Sequence, residues 1–226
     1  MTDWYVSDVA VTTGELALPG RLTVPADPAG IVVFADVSGR YGSVRSRAVA
    51  PVLHAARLGT LVFGLLTPDE AVDRSWVFDV DLLDRRLHTV VDWLRCQPPV
   101  GHASIGLHGV GTGTAAALRV AAEPDSDIAA VVSRSGRPEL AYDRLSQVRA
   151  PTLLIVGGED DLVVDLNCRA RDRLRCPNRV VAINGAHRLF EEPGTLEAAA
   201  ELARDWFSIH LRQHAQQRLL HPPASR

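Results

Sequence analysis

The sequence predicts an α/β fold: a mostly parallel sheet with an N-terminal antiparallel hairpin and helices on both faces. Three observations carry that prediction. Short apolar runs without polar alternation recur along the chain, as strands buried on both faces require. Amphipathic stretches with three- and four-residue spacing lie between them. Strand and helix alternate in order, which calls for right-handed crossovers and a helix layer on each face.

Residues 1–25 alternate apolar and polar, break at Thr13-Gly14 and Pro19-Gly20, and read as short antiparallel strands. The apolar run 31–35 is the first doubly buried strand. A helix follows over 44–58, with Gly59 as its stop. Residues 60–66 form the next buried strand, and 68–76 a loop. Val80, Leu83, Leu87, Val90, Val91 and Leu94 repeat at helical spacing, and Pro98-Pro99 ends that helix. Strand 103–108, a glycine turn and a helix to Ala122 come next. Strands 128–133, 152–156 and 180–183 follow, with a helix over about 163–174 between the last two. A final amphipathic helix spans about 195–213. One domain over 1–219 is expected, with 220–226 a disordered tail.

The chain has 226 residues, 46% apolar and 23% charged, a balance that supports a sizeable core. A net charge of −3 gives no footprint for nucleic acid. No apolar run approaches the roughly 20 residues of a membrane helix, and the first residues lack the basic and apolar regions of a secretory leader. Three cysteines without a CxxC read as reduced thiols in a cytoplasmic protein, with no metal and no cofactor expected. All 24 basic residues are arginine, which reads as compositional preference. They are interleaved with acids, so an anion-binding surface is not expected from them.

In a sheet of this kind the ligand site lies at the carboxyl ends of the strands. That draws attention to Asp36-Val37, Thr67, 109–113, Arg134-Ser135, 157–161 and 185–188. The stretch GVGTGT, from Gly109, admits two readings. As G-x-G-x-x-A it would place a pyrophosphate at a helix N-terminus. But two buried strands precede it, and Ser133-Arg134 stands where the ribose-binding acid belongs. As G-x-nucleophile-x-G it is the elbow of a hydrolase, and the partners should follow as acid, then histidine. They do in outline: PTLLIVGGEDD ends a strand in acids, and GAHRLFEEPG carries a histidine after the last strand.

Those three segments and their spacing resemble the α/β-hydrolase superfamily, in its dienelactone-hydrolase-like branch, over about 16–211. The segment VVSRSGRPEL resembles the family as well. The resemblance implies an α/β-hydrolase fold, and it exposes departures. Gly111 stands at the nucleophile position, where the family has Ser or Cys. The acid position falls on Asp160. Registered on Leu189-Phe190-Glu191-Glu192-Pro193, the family histidine falls on Arg188, not on His187. The loop that usually reads His-Gly is Asp36-Val37.

Gly111 has no side chain to acylate. The oxyanion hole, built in this fold from backbone N–H groups, survives such a change; here Val37 and Thr112 would supply it. An oxyanion hole without a nucleophile suits either binding of a carbonyl compound or proton removal α to the carbonyl. The serine-less elbow, size and lysine-free composition resemble the peptide epimerase of bottromycin biosynthesis. That resemblance implies an isomerase acting on an aspartyl residue of a modified ribosomal peptide. A hydrolase with an atypical nucleophile and a non-catalytic small-molecule or peptide binder are the alternatives.

Candidate bases are Asp160, His187, Asp36 and His108, or a carboxylate of the substrate. Each has a plainer role: Asp160 as a helix cap, His187 as a solvated loop residue, Asp36 as a turn former, His108 packed under the elbow. Val110, Gly111, Thr112, Asp36 and Val37 are the expected oxyanion and substrate-binding residues. Arg188 either grips a substrate carboxylate or pairs with Glu191 or Glu192. Trp76 is a candidate aromatic wall, and Phe190 a core residue. The partner implied is a peptide or small-molecule carbonyl substrate, with no nucleic acid and no membrane; the oligomeric state is left open.

Overall fold

A computed structural model describes residues 4–39 and 41–220 of the chain. One eight-stranded sheet runs in the order β1-β2-β4-β3-β5-β6-β7-β8. The strands are β1 (Trp4–Thr13), β2 (Leu16–Pro25), β3 (Gly30–Asp36), β4 (Leu58–Gly64), β5 (Ile105–Val110), β6 (Ala130–Arg134), β7 (Thr152–Gly157) and β8 (Asn178–Ile183). β1 and β2 form an antiparallel hairpin, and β2 pairs antiparallel with β4. Every other pair is parallel. This is the α/β-hydrolase arrangement expected from the sequence.

The helices are α1 (Val44–Ala55), α2 (Arg74–Val77), α3 (Val80–Arg95), α4 (Gly113–Ala122), α5 (Asp161–Arg171) and α6 (Thr195–Leu220). One face of the sheet packs β3, β4 and β5 residues such as Val33, Leu61 and Leu107 against Leu83, Leu87 and Val90 of α3 and the alanines of α4. The other face packs Val32, Phe34, Val132 and Ile155 against Leu53 of α1 and Phe207 and Leu211 of α6. Removing both faces from water is what commits the continuous apolar runs to a central parallel sheet.

Three local expectations are corrected. The helix over 44–58 stops at Ala55, and the left-handed residue after it is Arg57, with φ +59°. Gly59 lies inside β4, where a Cβ would come 2.5 Å from Ile31 Cδ1, so it is glycine for packing against the neighbouring strand. The 68–76 segment is not a plain loop: it holds a 3-10 turn at Glu70–Val72 and the short α2. The last helix runs to Leu220; 221–226, the rest of the expected tail, lie outside the described residues. No helix of the described residues is long and apolar enough to cross a membrane.

The 67–78 segment is pinned from below. Arg86 of α3 donates to both carboxylate oxygens of Glu70 at 2.7 and 2.8 Å, and also to the Leu65 carbonyl. The two side chains are only 7% and 14% exposed. Bonded to the Arg86 guanidinium against the cost of burial, and to Thr67, the Glu70 carboxyl is held down to about 2. A depressed carboxyl contributes stability above its unfolded value, about 4.5, and loses it as pH falls toward 2. Glu70→Gln is therefore expected to cost about 3 kcal/mol at neutral pH. It should also flatten the acid limb of stability between about pH 4.5 and 2, read by denaturant titration across that range.

Candidate active site

β5 ends in the turn Gly109-Val110-Gly111-Thr112-Gly113. The outer glycines are demanded by contact. A Cβ on Gly109 would lie 2.5 Å from Thr114 Cα, and one on Gly113 2.0 Å from the Ala35 oxygen. Strand, helix and the neighbouring β3 thus meet backbone to backbone. Gly111 differs: its φ is +56°, and a Cβ there would meet nothing within 4 Å. That is the left-handed, outward-facing position a nucleophile elbow has at its centre, here occupied by a glycine, which takes it without strain. Its carbonyl is fixed by the N–H groups of Thr114 and Arg137, at 3.2 and 3.0 Å.

The loop after β3 faces this turn, and Asp36 shapes it. One carboxylate oxygen accepts from Ser38 N–H (3.0 Å) and Ser38 Oγ–H (2.5 Å). The other accepts from Ser43 N–H (3.0 Å) and Ser46 Oγ–H (2.5 Å). Burial alone would raise this carboxyl, but those bonds outweigh it and hold it below the usual carboxylate range. Asp36 is therefore an ionised hub that folds the loop. Val37 beside it and Thr112 of the elbow both line one pocket. Among the described residues, neither backbone N–H is spent in the turn and loop hydrogen bonds. Two free donors flanking Gly111 fit an oxyanion hole.

The pocket has a volume of about 440 Å³ and opens at the carboxyl ends of β3, β5 and β6. Five arginines line it: Arg45, Arg74, Arg134, Arg137 and Arg188. Sequence reasoning gathered only Arg188 and noted Arg134 by position. The others come from α1, α2 and the loop after β6, and distance along the chain hid their convergence. Arg45 pairs with Glu191, and Arg137 with Glu139. Arg74 and Arg137 both lie over the Phe78 ring, at 5.4 and 5.6 Å. Phe78 and Val77 wall the pocket from the 67–78 segment, whereas Trp76 is 41% exposed and does not line it. Phe190 is a core residue, 2% exposed, with the Arg134 guanidinium 5.8 Å from its ring.

The candidate bases other than Asp36 stand elsewhere. Asp160 caps α5, accepting from Val163 N–H at 3.2 Å, and is not among the lining residues. His187 is turned outward, its side chain 70% exposed, with Nδ1 2.7 Å from Glu192. Arg188, the next residue, faces the pocket instead. His108 is buried against Phe34, 4.8 Å between ring centroids. Burial, and then the nearby Arg134, push its imidazole down to about 3, so it stays neutral. Ser135 lines the pocket at φ +47°, and its hydroxyl donates to the Arg188 carbonyl at 2.7 Å. The Thr112 hydroxyl is buried, without a partner among the described residues.

A second cavity of about 460 Å³ lies against β2, β4 and α1, lined by Arg47, His54 and Thr60 among others. It sits away from the elbow and from the strand ends, so the arginine-lined pocket is the candidate site.

Residues 67–176 match the family model for the dienelactone hydrolase family. The chain is 45% identical to a dienelactone hydrolase from Anabaena variabilis, with a TM-score of 0.87, covering 92% of this chain and 99% of that one. It is 50% identical over 205 residues to a Mycobacterium tuberculosis protein provisionally named a phosphoribosyl transferase, found alike in strains CDC 1551 and H37Rv. That match covers 90% of this chain and 46% of the relative, so the chain spans about half the length of the curated relatives it matches. Est1E from Butyrivibrio proteoclasticus shares the fold at 14% identity, with a TM-score of 0.72 over 94% of this chain and 99% of that one.

Proposed function

We propose that this chain, which belongs to the dienelactone hydrolase family, uses the pocket of that fold to bind a small carbonyl compound without cleaving it through a covalent intermediate. The observation that carries the reading is Gly111: the elbow keeps its left-handed backbone and its open space, but holds no nucleophile. The pocket supports the same conclusion. Its lining contains one carboxylate, Asp36, which is fully hydrogen-bonded, and no histidine. Covalent acyl transfer needs a nucleophile and a base within reach. The backbone donors at Val37 and Thr112 need neither, and would hold the carbonyl oxygen.

The same donors favour a second reading, proton transfer α to the carbonyl. The oxyanion hole would stabilise the enolate while a carboxylate of the substrate, held near the arginines, takes the proton and returns it to the opposite face. On that reading the chain is an epimerase, and an aspartyl residue of a modified ribosomal peptide supplies carbonyl and base together. Phosphoribosyl transfer, named for relatives about twice as long, belongs on our reading to their remaining half. The hydrolase fold accounts for the chain in hand.

The test is to treat the purified protein with a fluorophosphonate probe and a panel of nitrophenyl esters, and to incubate candidate peptides in deuterium oxide. No labelling and no ester turnover are expected. Labelling of Ser135 or Thr112 would overturn the non-covalent reading. Deuterium uptake at an α-carbon would select the epimerase over the binder.

A further inference from the structure

We infer that the pocket is built for a doubly charged phosphoryl group on its ligand, with Arg134 as the principal anchor. This rests on the reading of the pocket as a binding site. It goes beyond that reading in naming the charge and geometry of what is bound.

Arg134 ends β6, in register with Val110 of the elbow strand and Ile155 of β7. It is 2% exposed, lines the pocket, and its Nε has no hydrogen-bond partner among the described residues. It has no carboxylate within salt-bridge distance there, unlike Arg45 and Arg137. A buried guanidinium without a bonded partner is costly, and such groups are retained where something else completes them. Burial, and secondarily the like charge of Arg45, push its guanidinium down to about 10, against the pull of Asp36. It remains a cation at neutral pH, held in the site and short of a partner.

The charge count gives the class of ligand. Five guanidiniums line the pocket. Three carboxylates answer them: Asp36 in the lining, Glu191 on Arg45 and Glu139 on Arg137. The surplus is two positive charges; Arg74, Arg134 and Arg188 are the lining arginines without a salt bridge among the described residues, and Arg134 ends the strand beside the elbow strand. A phosphate monoester carries close to two negative charges on one compact group, and guanidinium forks match its oxygens bidentately. A single carboxylate would leave one of the two unanswered. Phe190 lies within cation–π distance of Arg134, and Phe78 of both Arg74 and Arg137; such contacts restrict the guanidiniums, which lowers the ordering cost on binding. The remaining volume, out of about 440 Å³, takes a small organic body whose carbonyl reaches the Val37 and Thr112 donors.

The experiment follows melting temperature and calorimetric binding with inorganic phosphate, succinate and acetate at matched ionic strength, for the wild type, Arg134→Met and Arg188→Gln. Phosphate is expected to stabilise the wild type saturably, and to bind at least tenfold more tightly than acetate or succinate. Arg134→Met should weaken phosphate binding at least tenfold while its melting temperature without phosphate is no lower than wild type; a purely structural arginine would show the reverse. The exposed Arg188→Gln, which leaves the core untouched, should weaken binding at least threefold. No saturable phosphate response in the wild type, equal binding of succinate, or phosphate binding within twofold of wild type in either variant overturns the inference. The fluorophosphonate assay separates the two readings: a wild type that labels yet binds phosphate loses the non-covalent reading and keeps the anion site. A wild type that is inert and indifferent to phosphate loses only the anion site.

Discussion

The double variant Gly111→Ser/Arg188→His is expected to hydrolyse nitrophenyl esters and to react with a fluorophosphonate, neither of which the wild type should do. The elbow already has the backbone for it. Gly111 sits at φ +56° with nothing within 4 Å of a Cβ, so a serine there meets strain but no clash. The strain is of order 1–2 kcal/mol, which a protein of ordinary stability tolerates. The donors proposed for the oxyanion hole, at Val37 and Thr112, are backbone and do not change. The base decides the rate. Gly111→Ser alone lacks one, because His187 is turned out to Glu192. Arg188 lines the same pocket as Gly111, so a histidine introduced there faces the new hydroxyl. A positioned general base is worth about 10² to 10⁴ in rate, and the double variant should exceed the single one by at least about 100-fold. If double and single variants hydrolyse equally, position 188 does not address the elbow, and the histidine register read from LFEEP is wrong.

The fold was legible because its signals are local. Runs such as Ile31 to Ala35 and Thr152 to Val156 have no polar alternation, and each became a strand buried on both faces. The elbow was legible for the same reason, since Gly109, Gly111 and Gly113 lie within five residues. Where sequence reading missed, a distant contact made the decision. Gly59 looked like a helix stop and is a packing glycine against Ile31. Asp36, by contrast, forms the turn its sequence suggested, and three serines between 38 and 46 bond both its carboxylate oxygens. The arginines show the limit most clearly. Read along the chain they are interleaved with acids, and only Arg188 carries a binding role. Folded, residues from 45 to 188 bring five of them to one pocket, because strands adjacent in the sheet are far apart in sequence. Only the residue-after-strand rule pointed at Arg134, and it gave a position without a role.

Gly113→Ala is expected to cost more than about 3 kcal/mol, although it adds one methyl group two residues from a position that accepts the same change. The Cβ would lie 2.0 Å from the Ala35 oxygen and 2.8 Å from its carbonyl carbon. Side chains give way when overpacked, at about 1–3 kcal/mol. Here the obstacle is the backbone of β3, which is hydrogen-bonded to β4 on one side and β5 on the other. Relief requires moving a strand in the centre of the sheet or tilting α4 off it, and α4 is buried along nearly its whole length. For a domain stable by about 5–15 kcal/mol that is a large fraction of the total. With a slope of about 3 kcal/mol/M, near the upper end for urea, the unfolding midpoint should fall by about 1 M or more. Gly111→Ala, measured beside it, should lose only the 1–2 kcal/mol or so of left-handed strain. The contrast also bears on function. Ala35 precedes Asp36 and Val37, so whatever shift relieves Gly113→Ala displaces the Val37 N–H relative to that of Thr112, the two donors proposed to bind the carbonyl. Any Gly113→Ala protein that still folds should lose ligand binding out of proportion to its loss of stability, while Gly111→Ala should keep its ligand binding. Equal midpoints for the two variants would mean that β3 and α4 are not in the close contact on which the geometry of this pocket depends.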